Sequence, residues 1–482
     1  MVTPGTDILK RLLPICLLLS LSSAGHATPD LPSLGDSTSG LISLQQEKEL
    51  GSEWLRSLRS QAPTIEDPMI LTWFQDLVYE LVPNAGLQDP QLALVVVDSP
   101  ELNAFAVPGG IVGINLGLLL YSDDEDEVAS VLAHELAHLS QRHFARQVEA
   151  AQRRDPVTLA TLLASIVLIA TNNTDAGVAG LMGSQAAAIQ NQLAYSRDFE
   201  READRLGMTT LSRSGRDPHA MTDMFSNMLA AGRYRGASLE FLMTHPLTSS
   251  RVADAEGRAA QLPAQARNHS FMFSSLHLLT EARYQLKDNA EAEFNRRLTD
   301  ASGELRDALL YNLARIAGNQ SEWNKGLDYL ARTDSNEPEI QALKARLLSG
   351  AGRYSEALAL LQETRRTQPD NLSLRMTEAA VRIDSGDATT AVTMLKKITE
   401  TAPGVPSYWT LLSRAADQSG DTILAYRALG ESYYYSGRRQ EAAQQMQSAL
   451  REAGKAGDFQ REAAIRERLK AIDPPRSGNG RP

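Results

Sequence analysis

Val131-Leu-Ala-His134-Glu135-Leu-Ala-His138-Leu139 is the stretch on which the reading of this chain turns. On a helix, His-Glu-x-x-His puts His134 and His138 one turn apart on one face, so both imidazoles can bind the same ion while Glu135 stands beside the water that the ion activates. The pattern points to peptide hydrolysis at a single Zn²⁺ per chain. The local sequence supports a helix. Asp123-Asp-Glu-Asp-Glu127 supplies the acidic first turn that the macrodipole favours, and Val128, Val131, Leu132 and Leu139 continue at helical spacing.

Composition narrows the setting. A chain of 482 residues with 43% hydrophobic residues has material for two or three cores. A net charge of −11 and no run of Lys or Arg argue against nucleic acid, because phosphate binding needs a clustered basic footprint. At the N-terminus, Lys10-Arg11 precedes an apolar run from Leu12 to Leu21 and a small-residue stretch ending at Ala27. Residues 1–27 therefore read as a cleaved secretory signal, too short in its apolar part to span a bilayer. The only cysteine, Cys16, lies inside it, so the exported chain would depend on packing and metal rather than on disulfides.

After a Pro/Ser/Gly-rich leader, Leu41 to Leu58 and Ile65 to Val82 carry apolar residues at helical spacing, as two amphipathic helices wrapping the catalytic core would. Gln91 to Asp98 is the strongest strand pattern. Asn103 to Val107 and Ile111 to Ile114 flank Pro108-Gly-Gly110, which predicts a hairpin just before the metal helix. Its edge either offers main-chain hydrogen bonds to an extended peptide or is plain scaffold. Beyond the metal helix, Val157 to Ala170 is apolar nearly all round, but about 21 Å of helix falls short of a membrane span. It reads as a buried helix or a flap over the site.

A catalytic zinc site of this kind needs a third protein ligand and an open fourth position. Downstream stands Phe199-Glu200-Arg-Glu202-Ala-Asp204. His-Glu-x-x-His followed by Glu-x-x-x-Asp resembles the metallopeptidase family that holds HtpX and the CaaX prenyl proteases. The resemblance implies Glu200 as third ligand and Asp204 as the carboxylate that orients a ligating histidine. Glu202 competes, but two residues away it faces elsewhere on the helix. Thr244-His245-Pro246 through Arg251 resembles the His-Pro segment closing the peptidase domain in this family. It implies that His245 returns to the site, as an oxyanion donor or as a gate on the open metal position. Arg251 would position substrate or pair with a carboxylate. His143, His219, His269 and His277 have no such neighbours and read as surface or core histidines.

The C-terminal part changes character. Gly352, Gly386 and Gly420 recur every 34 residues, as do Ala357, Ala391 and Ala425. That is the helix-turn-helix period of tetratricopeptide repeats, with less regular units on either side. The expected organisation is a signal peptide (1–27), a mainly α metallopeptidase domain with a small sheet, α+β in class (28–265), an α-helical repeat solenoid (270–474) and a disordered tail (475–482). An exported zinc peptidase with such repeats resembles the periplasmic protease and chaperone-like factors of Gram-negative bacteria. This implies assembly and quality control of outer-membrane β-barrel proteins, with stalled clients degraded. Partners would be unfolded outer-membrane proteins and their assembly machinery, met through the repeats, with at most peripheral membrane contact. HtpX and the CaaX enzymes span membranes; this chain lacks such segments, so their membrane substrates do not carry over. The other open reading is a repeat-based assembly chaperone with minor or gated proteolysis.

Overall fold

The structure, a computed structural model, describes residues 43–152, 197–235, 240–267 and 269–473. The expected signal peptide, the apolar stretch Val157 to Ala170 and the tail 475–482 lie outside the described residues. The first helix, α1 (Leu44–Gln61), starts at a capping box in which Ser43 and Gln46 exchange hydrogen bonds. The second, α2 (Pro68–Leu81), starts later than the apolar spacing predicts, with Asp67 as its cap and Pro68 in its first turn. The residue before a proline is pushed to extended backbone, here Asp67, so the helix cannot start earlier, and Thr64–Ile65 pairs with Val97 and Val96 as a short strand, β1.

Three further strands follow: β2 (Ala93–Val97), β3 (Ala104–Val107) and β4 (Ile111–Asn115). The expected hairpin is present as the antiparallel pair β3 and β4, and the sheet order is β1-β2-β4-β3. β2 runs parallel to β4 and antiparallel to β1. β3 is therefore an edge strand, and all four of its residues are buried.

The metal-motif helix, α3 (Glu125–Ser140), is capped by Asp124, which accepts from Glu127 N. The chain then breaks at Arg142, whose φ is +48°, and resumes as α4 (His143–Gln152). Next come α5 (Arg197–Arg213), α6 (Ala220–Arg235), the short α7 (Glu240–Thr244) and α8 (Ser249–Ala259). α5 packs along α3. Gly207 makes this close approach possible, since a Cβ there would sit 3.0 Å from His134 N and 3.1 Å from Ala133 O.

From Phe271 onward the described chain is helical: α9 (Phe271–Glu281), α10 (Ala290–Arg297), α11 (Gly303–Asn319), α12 (Trp323–Leu330), α13 (Pro338–Gly350) and α14 (Tyr354–Thr367). It continues as α15 (Leu372–Asp384), α16 (Ala388–Thr401), α17 (Pro406–Gln418), α18 (Thr422–Tyr435), α19 (Arg439–Ala456) and α20 (Phe459–Ile472). The repeating glycines have a physical role. Gly352, Gly386 and Gly420 lie at φ between +75° and +90°, a backbone region that side chains with a Cβ resist.

The two halves share one core. Phe74, Leu77, Leu132 and Leu136 belong to the same buried cluster as Phe271, Leu276, Leu313 and Leu343. α1 and α2 do not simply wrap the metal helix, as their amphipathic pattern suggested. α2 touches α3 and the sheet but also α15, and α1 reaches α18. Arg59 donates to Gly404 O at 2.6 Å, Ser407 N donates to Glu66 Oε2 at 2.6 Å, and the Arg56 guanidinium lies over the Tyr434 ring. Among the described residues, no helix is long and apolar enough to cross a membrane.

Candidate metal centre and active site

His134, His138, Glu200 and His245 are all buried, and each offers a ligand atom within 4.8 Å of the others. Three elements bring them together. α3 carries the histidine pair, α5 carries Glu200 and Asp204 one turn apart on the face that Gly207 presses to α3, and α7 ends just before His245. His134 Nε2 lies 3.0 Å from His138 Nε2 and 3.5 Å from Glu200 Oε2, and His138 Nε2 lies 3.6 Å from Glu200 Oε1. Donors about 2.0–2.1 Å from one tetrahedral ion stand about 3.3 Å apart, so this spacing suits a shared cation.

Proton positions make the same point. His134 Nδ1 faces Asp204 Oδ1 at 3.0 Å, which calls for its proton on Nδ1 and leaves a lone pair on Nε2. That lone pair points at the buried Nε2 of His138 and at the Glu200 carboxylate. Burial opposes a charge on His134, yet Asp204 and Glu200 outweigh it and push its pKa up to about 9. A cluster that so favours positive charge between two imidazoles and a carboxylate fits a divalent metal ion.

The carboxylates divide by environment. Burial raises Glu200, but His245, His134 and His138 outweigh burial and hold it well below the usual range. Asp204 is likewise held down against burial, by His134 and by Arg251. Arg251 grips Asp204 with two bonds of 2.7 Å, lies 2.8 Å from Glu200 Oε2 and donates to Pro246 O at 3.0 Å. It pairs with carboxylates, one of the two roles open from sequence. Glu135 differs: burial raises its pKa, although His245 and His134 pull it down, and the Ala106 N–H of edge strand β3 bonds to it. Its Oε1 accepts no hydrogen bond from any described residue.

His245 stands among the candidate ligands. Its Nδ1 lies 3.0 Å from Glu200 Oε1 and 3.5 Å from His134 Nε2, while its Nε2 is 3.5 Å from Glu135 Oε1. The Phe241 ring stacks on it with centroids 4.7 Å apart, and Phe241 O accepts from His245 N.

Glu202, the rival to Glu200, faces away from the histidine pair. Its Oε2 lies 3.2 Å from His143 Nε2 and 3.3 Å from Arg146 Nη1. His143 itself corrects the sequence reading, which gave it no chemical neighbour: it is fully buried with Nδ1 2.8 Å from His138 Nδ1. Burial, only partly offset by Glu202, lowers its pKa to about 4. The helix break at Arg142, which nothing in the sequence spacing announces, precedes the residue that meets His138. His219 beside Asp217, half-buried His277 and exposed His269 lie outside the cluster, as expected.

Comparison with known proteins agrees with this geometry. Residues 71–259 match Peptidase family M48 and residues 348–415 match a tetratricopeptide repeat. The β-barrel assembly-enhancing protease of Yersinia pestis is 32% identical over 450 residues, covering 90% of this chain and 92% of that one. That of Escherichia coli K12 is 32% identical over 456 residues, covering 90% and 91%. The mitochondrial metalloendopeptidase OMA1 of Schizosaccharomyces pombe is 28% identical over 221 residues, which is 45% of this chain and 61% of that one. With the buried His-His-Glu-His cluster seated inside the matched region, the chain belongs to peptidase family M48, as a metallopeptidase alongside the β-barrel assembly-enhancing proteases.

Proposed function

We propose that this chain is an exported, periplasmic zinc endopeptidase that assists outer-membrane β-barrel assembly and degrades clients that stall. Residues 28–265 would form the peptidase domain and residues 270–474 the repeats that meet clients and their assembly machinery. The observation that carries the reading is the buried set of His134, His138 and Glu200 with Glu135 beside it. The names of the relatives support the client class, and the leader at residues 1–27 supports export.

In this reading His134 Nε2, His138 Nε2 and Glu200 hold one zinc ion, which supplies Lewis acidity and lowers the pKa of water toward about 7. Glu135, its pKa raised by burial, takes the proton from the attacking water and passes it to the leaving amine nitrogen. Asp204 holds the His134 ring, and Arg251 holds Asp204, Glu200 and the His245–Pro246 turn in one clamp. Glu135 stays next to the edge strand through the Ala106 N–H.

The place of His245 favours the chaperone with gated proteolysis as a second reading. With Nδ1 at 3.0 Å from Glu200 and 3.5 Å from His134, it fills the position a catalytic site keeps open. A site closed by four protein ligands is a resting site. The test is cleavage of an unfolded β-barrel protein by wild type, Glu135→Gln and His245→Ala, with zinc measured in each. Glu135→Gln should keep zinc and lose at least about 10²-fold in rate. His245→Ala should cleave faster than wild type if His245 gates the site. A fall of about 10²-fold would make it an oxyanion donor instead, and equal rates would remove it from the mechanism.

A further inference from the structure

The dyad of His143 and Glu202 lies behind the metal cluster and has no part in the reaction as derived above. His143 is fully buried at the start of α4, and Glu202 faces it from α5. We propose that His143 is a positioning residue for the metal ligand His138: its Nδ1 accepts the His138 Nδ1–H, and its own Nε2–H is held by Glu202. The inference rests on His138 being a ligand.

Hydrogen counting leaves one consistent assignment. His138 Nε2 faces His134 Nε2 at 3.0 Å and Glu200 Oε1 at 3.6 Å, so a metal bound there needs that nitrogen unprotonated. The proton of the neutral ring then sits on Nδ1, which lies 2.8 Å from His143 Nδ1. Two bare nitrogens would repel at that distance, and a proton supplied by His143 would force the His138 proton onto Nε2, where the metal must bind. His143 therefore accepts through Nδ1 and carries its proton on Nε2, facing Glu202 Oε2 at 3.2 Å.

The surroundings fix that arrangement. Phe199 stacks on the His143 ring with centroids 4.4 Å apart and planes 8° from parallel. The Arg146 guanidinium lies 4.4 Å from the Phe199 ring centroid and also reaches Glu202 Oε2 at 3.3 Å. Two ligands are thus oriented by different means. His134 Nδ1 lies 3.0 Å from the carboxylate of Asp204, whereas His138 Nδ1 lies 2.8 Å from a second imidazole that passes the interaction on to a carboxylate. Groups that orient a ligating histidine change metal affinity by about 10–100-fold when removed.

The experiment is zinc competition against a chromophoric chelator, with Co²⁺ absorption as a spectroscopic check, on wild type, His143→Leu, His143→Asn and Glu202→Ala. Leu fills the space without an acceptor, whereas the Asn carbonyl stands near the former Nδ1 and can still accept. The expected result is that His143→Leu weakens zinc binding by about 10–100-fold and alters the Co²⁺ spectrum, with Asn recovering most of the affinity and Glu202→Ala falling between. Equal losses in Leu and Asn, or no loss in Leu, would overturn the proposal. If the variants fold poorly, ¹⁵N-histidine NMR of the wild-type zinc protein decides alone: His143 must carry its proton on Nε2, and a proton on Nδ1 overturns the proposal. Wild-type protein that binds no zinc would remove the metal reading itself, a failure distinct from that of His143.

Discussion

Glu127 sits two turns before His134 on α3 and is a charge whose cost can be measured. Its carboxyl accepts from Asp123 N at 2.8 Å and from Asn227 Nδ2 at 3.0 Å. Burial, with the nearby Asp124 and Asp123, outweighs these bonds and pushes its pKa from 4.5 up to about 7. Because the folded-state value lies above the unfolded one, its contribution to stability is complete below pH 4.5 and is lost as pH rises through about 7. The shift caps the effect at about 3 kcal/mol, and solvent screening brings it to roughly 1–2. Glu127→Gln should therefore unfold at higher denaturant than wild type at pH 8 by that margin, with the gap closing near pH 5; a gap that ignores pH contradicts the assignment. At this scale the sequence was informative where spacing carries geometry. The spacing of His134 and His138 places both on one face of a helical turn, as the structure has them, whereas Glu200 and Asp204 were singled out through the resemblance of Glu-x-x-x-Asp to the family pattern. His143 could not, because what brings it to His138 is a positive φ at Arg142, which no periodicity announces.

Between elements, the distance from α5 to α3 sets the site. Gly207 gives that distance, since its missing Cβ would press on the backbone of Ala133 and His134, which cannot rotate away. Gly207→Ala should shift α5 from α3 by a few tenths of an ångström, loosen the fit of Glu200 and Asp204 to the histidines, and cost about 1 kcal/mol. Thermal melts and zinc competition on the variant check this, and unchanged stability with unchanged affinity would contradict it. Helix positions were legible from apolar spacing and the hairpin from Pro108-Gly-Gly110. The start of α2 was misread because Pro68 holds Asp67 extended, and Thr64–Ile65 is taken up by pairing with the sheet. How closely two helices approach is a property of pairs, and the apolar pattern of one helix does not contain it.

Over the whole molecule, the helices from Phe271 onward share a core with the peptidase half. Phe271, Leu276, Leu313 and Leu343 are buried in the same cluster as Phe74 and Leu132, and Arg59 and Glu66 bond to the segment around Gly404 and Ser407. Residues 28–265 expressed alone should therefore aggregate or lose a cooperative melt; a soluble, zinc-loaded fragment with a sharp transition would show that the halves are independent. The 34-residue period was plain in the sequence, because each repeat copies its neighbour. The docking of α1 and α2 on the repeats was not, since it joins residues more than 300 positions apart through unrepeated contacts. The central claim remains that two histidines of α3 and Glu200 of α5 hold a catalytic zinc. The most direct measurement is zinc per chain by emission spectrometry, after dialysis against a mild chelator, for wild type and for alanine at His134, His138, Glu200 and Glu202. The account predicts one zinc in wild type, almost none in the first three variants, and zinc still bound, though more weakly, in Glu202→Ala. Full zinc in Glu200→Ala together with its loss in Glu202→Ala would contradict it.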